Sequence, residues 1–163
     1  MKKGLICYYT ETNSTRDYAE SIAEELVSEG VSVDVLPINE VKGFDGYDFL
    51  VLGAPIQGMQ WAKPMVDFAK VNNEALKGKK VAIYFVSYLM KVGRPMWQKA
   101  INKSLDKLSL ELGAISVGKF EGRVEKPFPK FGKWLLMGKN TAEIDLVDLE
   151  TSKNWVNELK NRL

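Results

Sequence analysis

The chain has 163 residues, of which 45% are hydrophobic and 27% are charged, and this length is enough to bury a core without disulfides or structural metal. Its formal net charge of +2 excludes a strong overall attraction to nucleic acid or to acidic partners. It contains one cysteine and no histidine, which excludes an internal disulfide framework, a Ser-His-Asp or Cys-His nucleophile and any His-ligated metal site. We therefore expect a single domain over residues 1–163, without a metal site, whose chemistry comes from a cofactor, carboxylates, lysines or tyrosines.

The lengths of the apolar runs indicate the cellular compartment in which the protein is found. None approaches the roughly 20 apolar residues of a membrane-spanning helix, and the run after Lys2-Lys3 is interrupted by Thr10-Glu11-Thr12, too early for a signal peptide. The lone Cys7 lies inside this first run, so we expect a buried and unreactive thiol. These observations favour a cytoplasmic protein.

The fold class is indicated by apolar runs that alternate with stretches of helical periodicity along the chain. Strands are predicted at 4–9, 31–36, 49–52, 81–86 and 114–117. The second run alternates apolar and polar residues, as an edge strand does, whereas the third and fourth are continuously apolar, as central parallel strands are. Helices are predicted at 14–28, from Pro64, from Pro95 and around Trp155. The pattern predicts an α/β fold of three layers, a doubly wound five-stranded parallel sheet of order 2-1-3-4-5.

Ligands of such sheets bind at the carboxyl ends of the strands, where the strand order reverses. This rule selects three loops, which follow the first, third and fourth strands at 10–15, 54–61 and 87–93. The first loop places hydroxyl side chains beside the positive end of a helix dipole, where backbone N–H groups also point. It lacks the glycine and lysine pattern of the P-loop and the glycine pattern of dinucleotide sites. We predict a phosphate-binding loop; the alternative is a plain helix cap.

The second and third loops offer surfaces for a flat ring. Gly53 and Gly58 allow the backbone to approach a ligand closely, and Ile56, Met59 and Trp61 supply apolar area. Trp61 either stacks on the ring or packs under the next helix. In the third loop Tyr88 is the only aromatic residue, and it either contacts the ring or packs at the end of its strand.

The first loop resembles the Thr-x-Thr-Gly-x-Thr phosphate loop of flavodoxins, with Asn13 at the glycine position. Asparagine enters the left-handed region more readily than most residues. The second loop resembles the second flavin loop of the same superfamily, commonly Gly-[Ser/Ala]-Pro-x-x-x-Gly before a helix that starts with proline. The resemblance implies a flavodoxin-like fold, FMN as the cofactor, and contacts to it from Thr10, Glu11, Thr12, Asn13, Ser14, Thr15, Ala54, Pro55, Ile56, Gln57, Gly58, Trp61, Ser87, Tyr88, Leu89 and Gly93. A cation at Lys91 or Arg94 would then lie near N1 of the flavin and raise its potential.

The segment 119–139 is rich in lysine, phenylalanine and leucine, and it includes Lys126, Trp134 and Lys139. Three interpretations compete: a helix or loop whose aromatics pack on the sheet edge, an amphipathic surface for membrane lipid or a lipid-soluble quinone, and a nucleic-acid surface. No nucleic-acid motif accompanies the segment, so we expect no nucleic-acid partner.

The order of segments after the fifth strand is similar to the flavodoxin-domain branch that contains menaquinone-dependent protoporphyrinogen dehydrogenase. It runs from Gly118 through the 119–139 segment and Asn140-Thr141-Ala142-Glu143 to a helix with Trp155. The resemblance implies an FMN-dependent oxidoreductase that passes electrons to a quinone or another redox substrate. If the amphipathic interpretation of 119–139 holds, this segment also gives the protein peripheral membrane contact. The alternative is an electron shuttle that docks to redox partner proteins.

Overall fold

A computed structural model describes residues 1–125, 128–138 and 144–163. Lys126, Lys139 and the stretch 140–143, to which the sequence drew attention, lie outside the described residues. The strands are β1 (Lys3–Tyr8), β2 (Ser32–Pro37), β3 (Phe49–Gln57), β4 (Gln60–Trp61), β5 (Lys80–Val86) and β6 (Ser116–Phe120). The helices are α1 (Ser14–Ser28), α2 (Lys63–Val71), α3 (Asn73–Lys77), α4 (Leu89–Val92), α5 (Pro95–Leu112), α6 (Lys130–Met137) and α7 (Leu149–Leu159), with a 3₁₀ turn at Ile38–Glu40.

The main sheet is parallel, in the order β2-β1-β3-β5-β6, and the short β4 pairs antiparallel with β3. The predicted order is therefore confirmed, with the predicted fourth and fifth strands now numbered β5 and β6. Side chains alternate between the two faces of the sheet, as strand geometry requires. Leu5 and Cys7 pack toward α2, α3 and α5, whereas Ile6 packs toward α1 and α7, which gives the three expected layers. β2 is only half buried along its length, as the edge position predicted from its alternation requires.

Two strand boundaries differ from the sequence prediction. β3 continues to Gln57 rather than ending near residue 52, because Ile56 and Gln57 pair with Trp61 and Gln60 of β4. β6 begins at Ser116 and reaches Phe120, because α5 ends at a left-handed Gly113 and the chain enters the sheet two residues later than predicted. The extension of β6 carries the following residues to the carboxyl edge of the sheet.

Within the described part of the chain, no helix is both long and apolar enough to cross a membrane. No group of three or more cysteine and carboxylate side chains among these residues is placed to hold a metal ion.

The thiol of Cys7 is expected to resist alkylation in the folded protein. Cys7 is buried in the core, as predicted, and burial raises the pKa of its thiol to about 12. At pH 8 the thiolate fraction of the folded state is then on the order of one in ten thousand, and the sulfur is also inaccessible. Iodoacetamide labelling followed by mass spectrometry should show an unmodified native protein and one modification in urea. Rapid native labelling would contradict the buried placement.

Candidate functional site

The carboxyl ends of β1, β3 and β5 meet at a pocket of about 210 Å³. Four chain segments form its walls: the loop after β1, the hairpin that joins β3 to β4, the end of β5 with the start of α4, and the stretch that follows β6. The first three are the loops selected from the sequence. The pocket thus lies at the point where the strand order reverses, as the general rule for doubly wound sheets requires.

Ten of the sixteen predicted site residues line this pocket: Glu11, Thr12, Ser14, Pro55, Ile56, Gln57, Gly58, Ser87, Tyr88 and Leu89. The remaining six lie elsewhere. Thr10 and Asn13 line a second hollow on the other side of the first loop, and Thr15 is buried beneath the loop. Ala54 and Trp61 lie in the core, and Gly93 closes α4 with its N–H bonded to the Leu89 carbonyl.

The first loop has the geometry of an anion cradle. Asn13 adopts the left-handed conformation, with φ 63° and ψ −5°, and its side chain makes no capping hydrogen bond to α1. As in any α-helix, the first N–H groups of α1 have no acceptor within the helix, and this end of a helix attracts anions. Thr12 and Ser14 share a hydrogen bond of 3.0 Å between their hydroxyl oxygens. The loop is therefore shaped differently from a plain cap in which the Asn13 side chain would accept from the helix.

Two hydroxyl groups of this loop have unmet hydrogen-bonding capacity. The Oγ1 atoms of Thr10 and Thr15 are buried, and neither has a hydrogen-bond partner among the described residues. A buried hydroxyl without a partner costs about 1–3 kcal/mol, so such groups in a folded protein call for an explanation. A phosphate oxygen at the N-terminus of α1 would supply the missing acceptors. The residues present thus fit a phosphate group.

The first loop is tied to the core by tyrosine hydroxyls. Tyr84, on β5, donates a 2.8 Å hydrogen bond to the Thr15 carbonyl, and burial holds the pKa of Tyr84 well above its ordinary value, which keeps the hydroxyl protonated. Tyr18, on α1, donates at 2.7 Å to the Glu121 carbonyl and accepts at 3.0 Å from the Asp148 N–H. The loop and the stretch after β6 are therefore held in fixed relation to the sheet.

The second predicted loop is a tight β-hairpin. Gly58 and Met59 have φ values of 55° and 63°, and two consecutive left-handed residues are the signature of the turns that close two-residue hairpins. Trp61 is buried, and its Nε1 donates a 3.2 Å hydrogen bond to the Ala54 carbonyl. Trp61 therefore packs under the next helix rather than stacking on a ring, and Pro55, Ile56 and Met59 are apolar residues of the hairpin that line the pocket.

Tyr88 both lines the pocket and packs at the end of its strand, which are the two alternatives that the sequence left open. It lines the pocket, and its ring also packs 5.9 Å from the ring of Phe128 at an interplanar angle of 49°. Both belong to a small apolar cluster with Val92 and Met137 that joins the third loop to α6. Tyr88 is thus fixed in position by the segment that follows β6.

The fourth wall of the pocket, formed by Gly122, Arg123, Val124 and Phe128, was not predicted. Arg123 connects three parts of the site: it donates at 2.7 Å to Asp17 of α1, lies 3.1 Å from the Asp145 carboxylate, and donates at 3.4 Å to the Thr12 carbonyl. A signal was available in the sequence, because these residues directly follow the last strand and must reach the same sheet edge as the other loops.

The two cations expected near the ring lie outside the pocket lining. Lys91 approaches Glu121 at 3.7 Å, and the guanidinium of Arg94 donates at 2.7 Å to the Trp134 carbonyl. Among the described residues, the charged side chains that line the pocket are Glu11 and Arg123. Since two carboxylates compensate the charge of Arg123, the walls carry little net positive charge.

Comparison with known proteins agrees with this geometry. A family model described as "Flavodoxin domain" matches residues 5–137. The protoporphyrinogen IX dehydrogenase [quinone] of Escherichia coli K12 is 29% identical over 87 residues, which are 52% of this chain and 48% of that protein. The chain spans about half the length of the curated relatives it matches.

Solved structures share the fold over nearly the whole chain. Oxidised flavodoxin 1 of Bacillus cereus superposes with a TM-score of 0.61 at 18% identity, covering 99% of both chains. A flavodoxin of Fusobacterium nucleatum bound to flavin mononucleotide gives a TM-score of 0.57 at 18% identity, covering 100% of this chain and 99% of the other. An archaeal flavodoxin gives 0.62 at 16% identity, covering 98% and 97%. Identities this low establish the fold alone.

Proposed function

Because the chain belongs to the flavodoxin-domain family, we propose that it is a flavoprotein that binds FMN and transfers electrons. The observation that carries the proposal is the pair of buried hydroxyls of Thr10 and Thr15, which have no hydrogen-bond partner in the part of the chain that the structure describes. Both hydroxyls can donate hydrogen bonds to a phosphate. The adjoining pocket has apolar walls that can contact a ring. The flavodoxin of Fusobacterium nucleatum, which shares this fold, is bound to flavin mononucleotide.

In this proposal each wall has a separate task. The loop 10–15 holds the phosphate through hydroxyls and backbone N–H groups, and the hairpin and the third loop hold the two faces of the ring. When bound, the isoalloxazine supplies the electron-transfer chemistry, and the protein positions it and sets its electrostatic surroundings. No catalytic side chain is assigned.

We extend the proposal to a quinone or another small redox substrate as the acceptor. Val124 and Phe128 add an apolar wall beside Tyr88, and such a wall favours contact with an apolar small molecule. The Escherichia coli relative is named for a quinone-linked reaction on protoporphyrinogen IX, which makes that porphyrinogen a second candidate substrate. An electron shuttle that docks to redox partner proteins is the alternative, and the cytoplasmic location stays a prediction.

The first experiment is a visible absorption spectrum of the purified protein, recorded before and after adding FMN and then desalting. Flavin bands that survive desalting support the proposal, and reduction of a soluble quinone by the reduced holoprotein then separates an oxidoreductase from a shuttle. A colourless protein that does not retain FMN would contradict the proposal.

Substitution of Arg123 by methionine is expected to weaken FMN binding about tenfold. Arg123 holds the Thr12 carbonyl and two carboxylates, so its removal loosens the phosphate loop and leaves Asp17 and Asp145 without their partner. The pairs are partly exposed, so we expect a loss of only about 1 kcal/mol in the free energy of unfolding. Fluorescence titration with FMN and urea denaturation measure the two effects.

The matched control is Arg162→Met, since Arg162 donates to the Ile115 carbonyl far from the pocket lining. That variant should bind FMN normally. Equal affinities of the Arg123 and Arg162 variants for FMN would exclude a positioning role for Arg123.

A further inference from the structure

The helix α6 exposes three of its apolar side chains to solvent. Phe131, Trp134 and Leu135 are 74%, 58% and 44% exposed, and their spacing places them on one stripe. The opposite side of the helix is also apolar, because Leu136 and Met137 pack into the cluster around Tyr88. A helix on the surface of a soluble domain normally turns polar residues outward, and a contiguous exposed apolar stripe is typical of an interaction surface.

Positive charge lies near the stripe, with Lys130 on one flank and the long side chain of Lys133 starting from the side of the helix that faces the domain. α6 carries Lys130 and Lys133 and has no acidic residue. Its last turn is fixed to the start of α5, where the Arg94 N–H donates to the Leu136 carbonyl at 2.9 Å and Trp97 Nε1 donates to the Leu135 carbonyl at 3.2 Å. That start of α5 adds Met96, which is 61% exposed, and the lysines at 99 and 103, with no acid before position 106.

We propose that this surface, termed the α6 face and made of Met96, Lys130, Phe131, Lys133, Trp134 and Leu135, binds an anionic phospholipid bilayer. Exposed aromatic and aliphatic side chains with flanking lysines are the composition of helices that lie in a membrane interface. The lysines attract anionic headgroups while the stripe enters the boundary between headgroups and acyl chains. A second copy of the chain fits less well, because self-association through this face would oppose lysine to lysine.

Trp134 is held in place for this contact. The guanidinium of Arg94 lies 5.0 Å from the Trp134 ring centroid, and Arg94 Nη2 donates to the Trp134 carbonyl at 2.7 Å. The ring of Phe131 lies 6.3 Å from that of Trp134. The two aromatic rings therefore form a pre-arranged pair that loses little side-chain freedom on binding.

Binding through the α6 face would bring the pocket close to the bilayer. The inner side of α6 packs against Tyr88, Val124 and Phe128, and these three residues also line the pocket. A lipid-soluble electron acceptor would then contact the pocket wall at the membrane surface. This consequence rests on the proposed function, whereas the lipid contact itself does not.

The test is cosedimentation of the apoprotein with vesicles of phosphatidylcholine alone and of phosphatidylcholine mixed with phosphatidylglycerol, so that it needs no flavin. We expect binding to the anionic vesicles, weakened by salt, with a blue shift of tryptophan emission from Trp134. Phe131→Ser with Trp134→Ser should lower the partition coefficient at least about tenfold, and Lys130→Gln with Lys133→Gln about fivefold for each lysine.

The matched controls are Val71→Ser and Leu110→Ser, which remove side chains that are 85% and 83% exposed on other helices. Both should partition as the unmodified chain does. The proposal is overturned if the protein stays in the supernatant with anionic vesicles, if all variants bind equally, or if the α6 variants change only self-association in analytical ultracentrifugation. If the protein binds FMN but does not bind vesicles, this inference is overturned and the proposed function is unaffected.

Discussion

Replacing Thr10 and Thr15 by valine in one chain is expected to weaken FMN binding about a hundredfold or more and, at the same time, to stabilise the apoprotein. Each Oγ1 is buried without a partner among the described residues, so each is a cost to the unliganded fold. Valine has nearly the shape of threonine and removes the unpaired hydroxyl. Each hydrogen bond lost to a charged phosphate is worth about 1.5–3 kcal/mol, and two such losses give the expected factor.

Two measurements check that FMN affinity falls while the stability of the apoprotein rises. FMN titration followed by flavin fluorescence gives the affinity, and urea denaturation of the apoprotein gives the free energy of unfolding. Riboflavin, which lacks the phosphate, is the matched ligand and should bind the variant and the unmodified chain alike. If FMN affinity were unchanged, the hydroxyls would not be phosphate ligands; a less stable apoprotein would show that they have partners in solution.

The strand order and the tight turn at 10–15 could be predicted from the sequence because their signals are local. Continuous apolar runs mark central parallel strands, and the alternation in β2 marks an edge. The left-handed Asn13 follows from the residue type, since asparagine tolerates this conformation at the glycine position of the loop. Each of these inferences needed only a few neighbouring residues.

The features that the sequence analysis missed depend on a contact between distant residues in one case and on an unusual residue in a tight turn in the other. Arg123 meets Asp17 across 106 positions of the chain, and no local pattern announces such a pair. The hairpin was missed because Met59 occupies a left-handed position that usually favours glycine or asparagine. The placement of Trp61 was decided by the carbonyl of Ala54, which becomes a hydrogen-bond acceptor for the indole only after β3 has extended to form the hairpin.

The largest effect on stability is expected from Gly53→Ala, in the central strand β3. A Cβ atom at position 53 would lie 1.9–2.3 Å from three atoms of the Tyr84 ring and hydroxyl, which is far inside contact distance. The ring cannot move aside easily, since it is fully buried and packs 5.6 Å from Phe120 and 6.4 Å from Trp155. We expect a loss of about 3 kcal/mol in the free energy of unfolding, at the upper end for overpacked cores.

This substitution is also expected to disturb the conformation of the loop 10–15, because the hydroxyl of Tyr84 donates to the Thr15 carbonyl. Gly78→Ala is the matched control: a Cβ atom added at position 78 would meet nothing within 4 Å, the φ there is −87°, and the change should alter the free energy of unfolding little. Adding Tyr84→Val to Gly53→Ala opens the space that the new methyl group needs. The double variant should therefore lose less than the sum of the two single losses in urea denaturation, whereas strict additivity would show that Tyr84 does not constrain position 53.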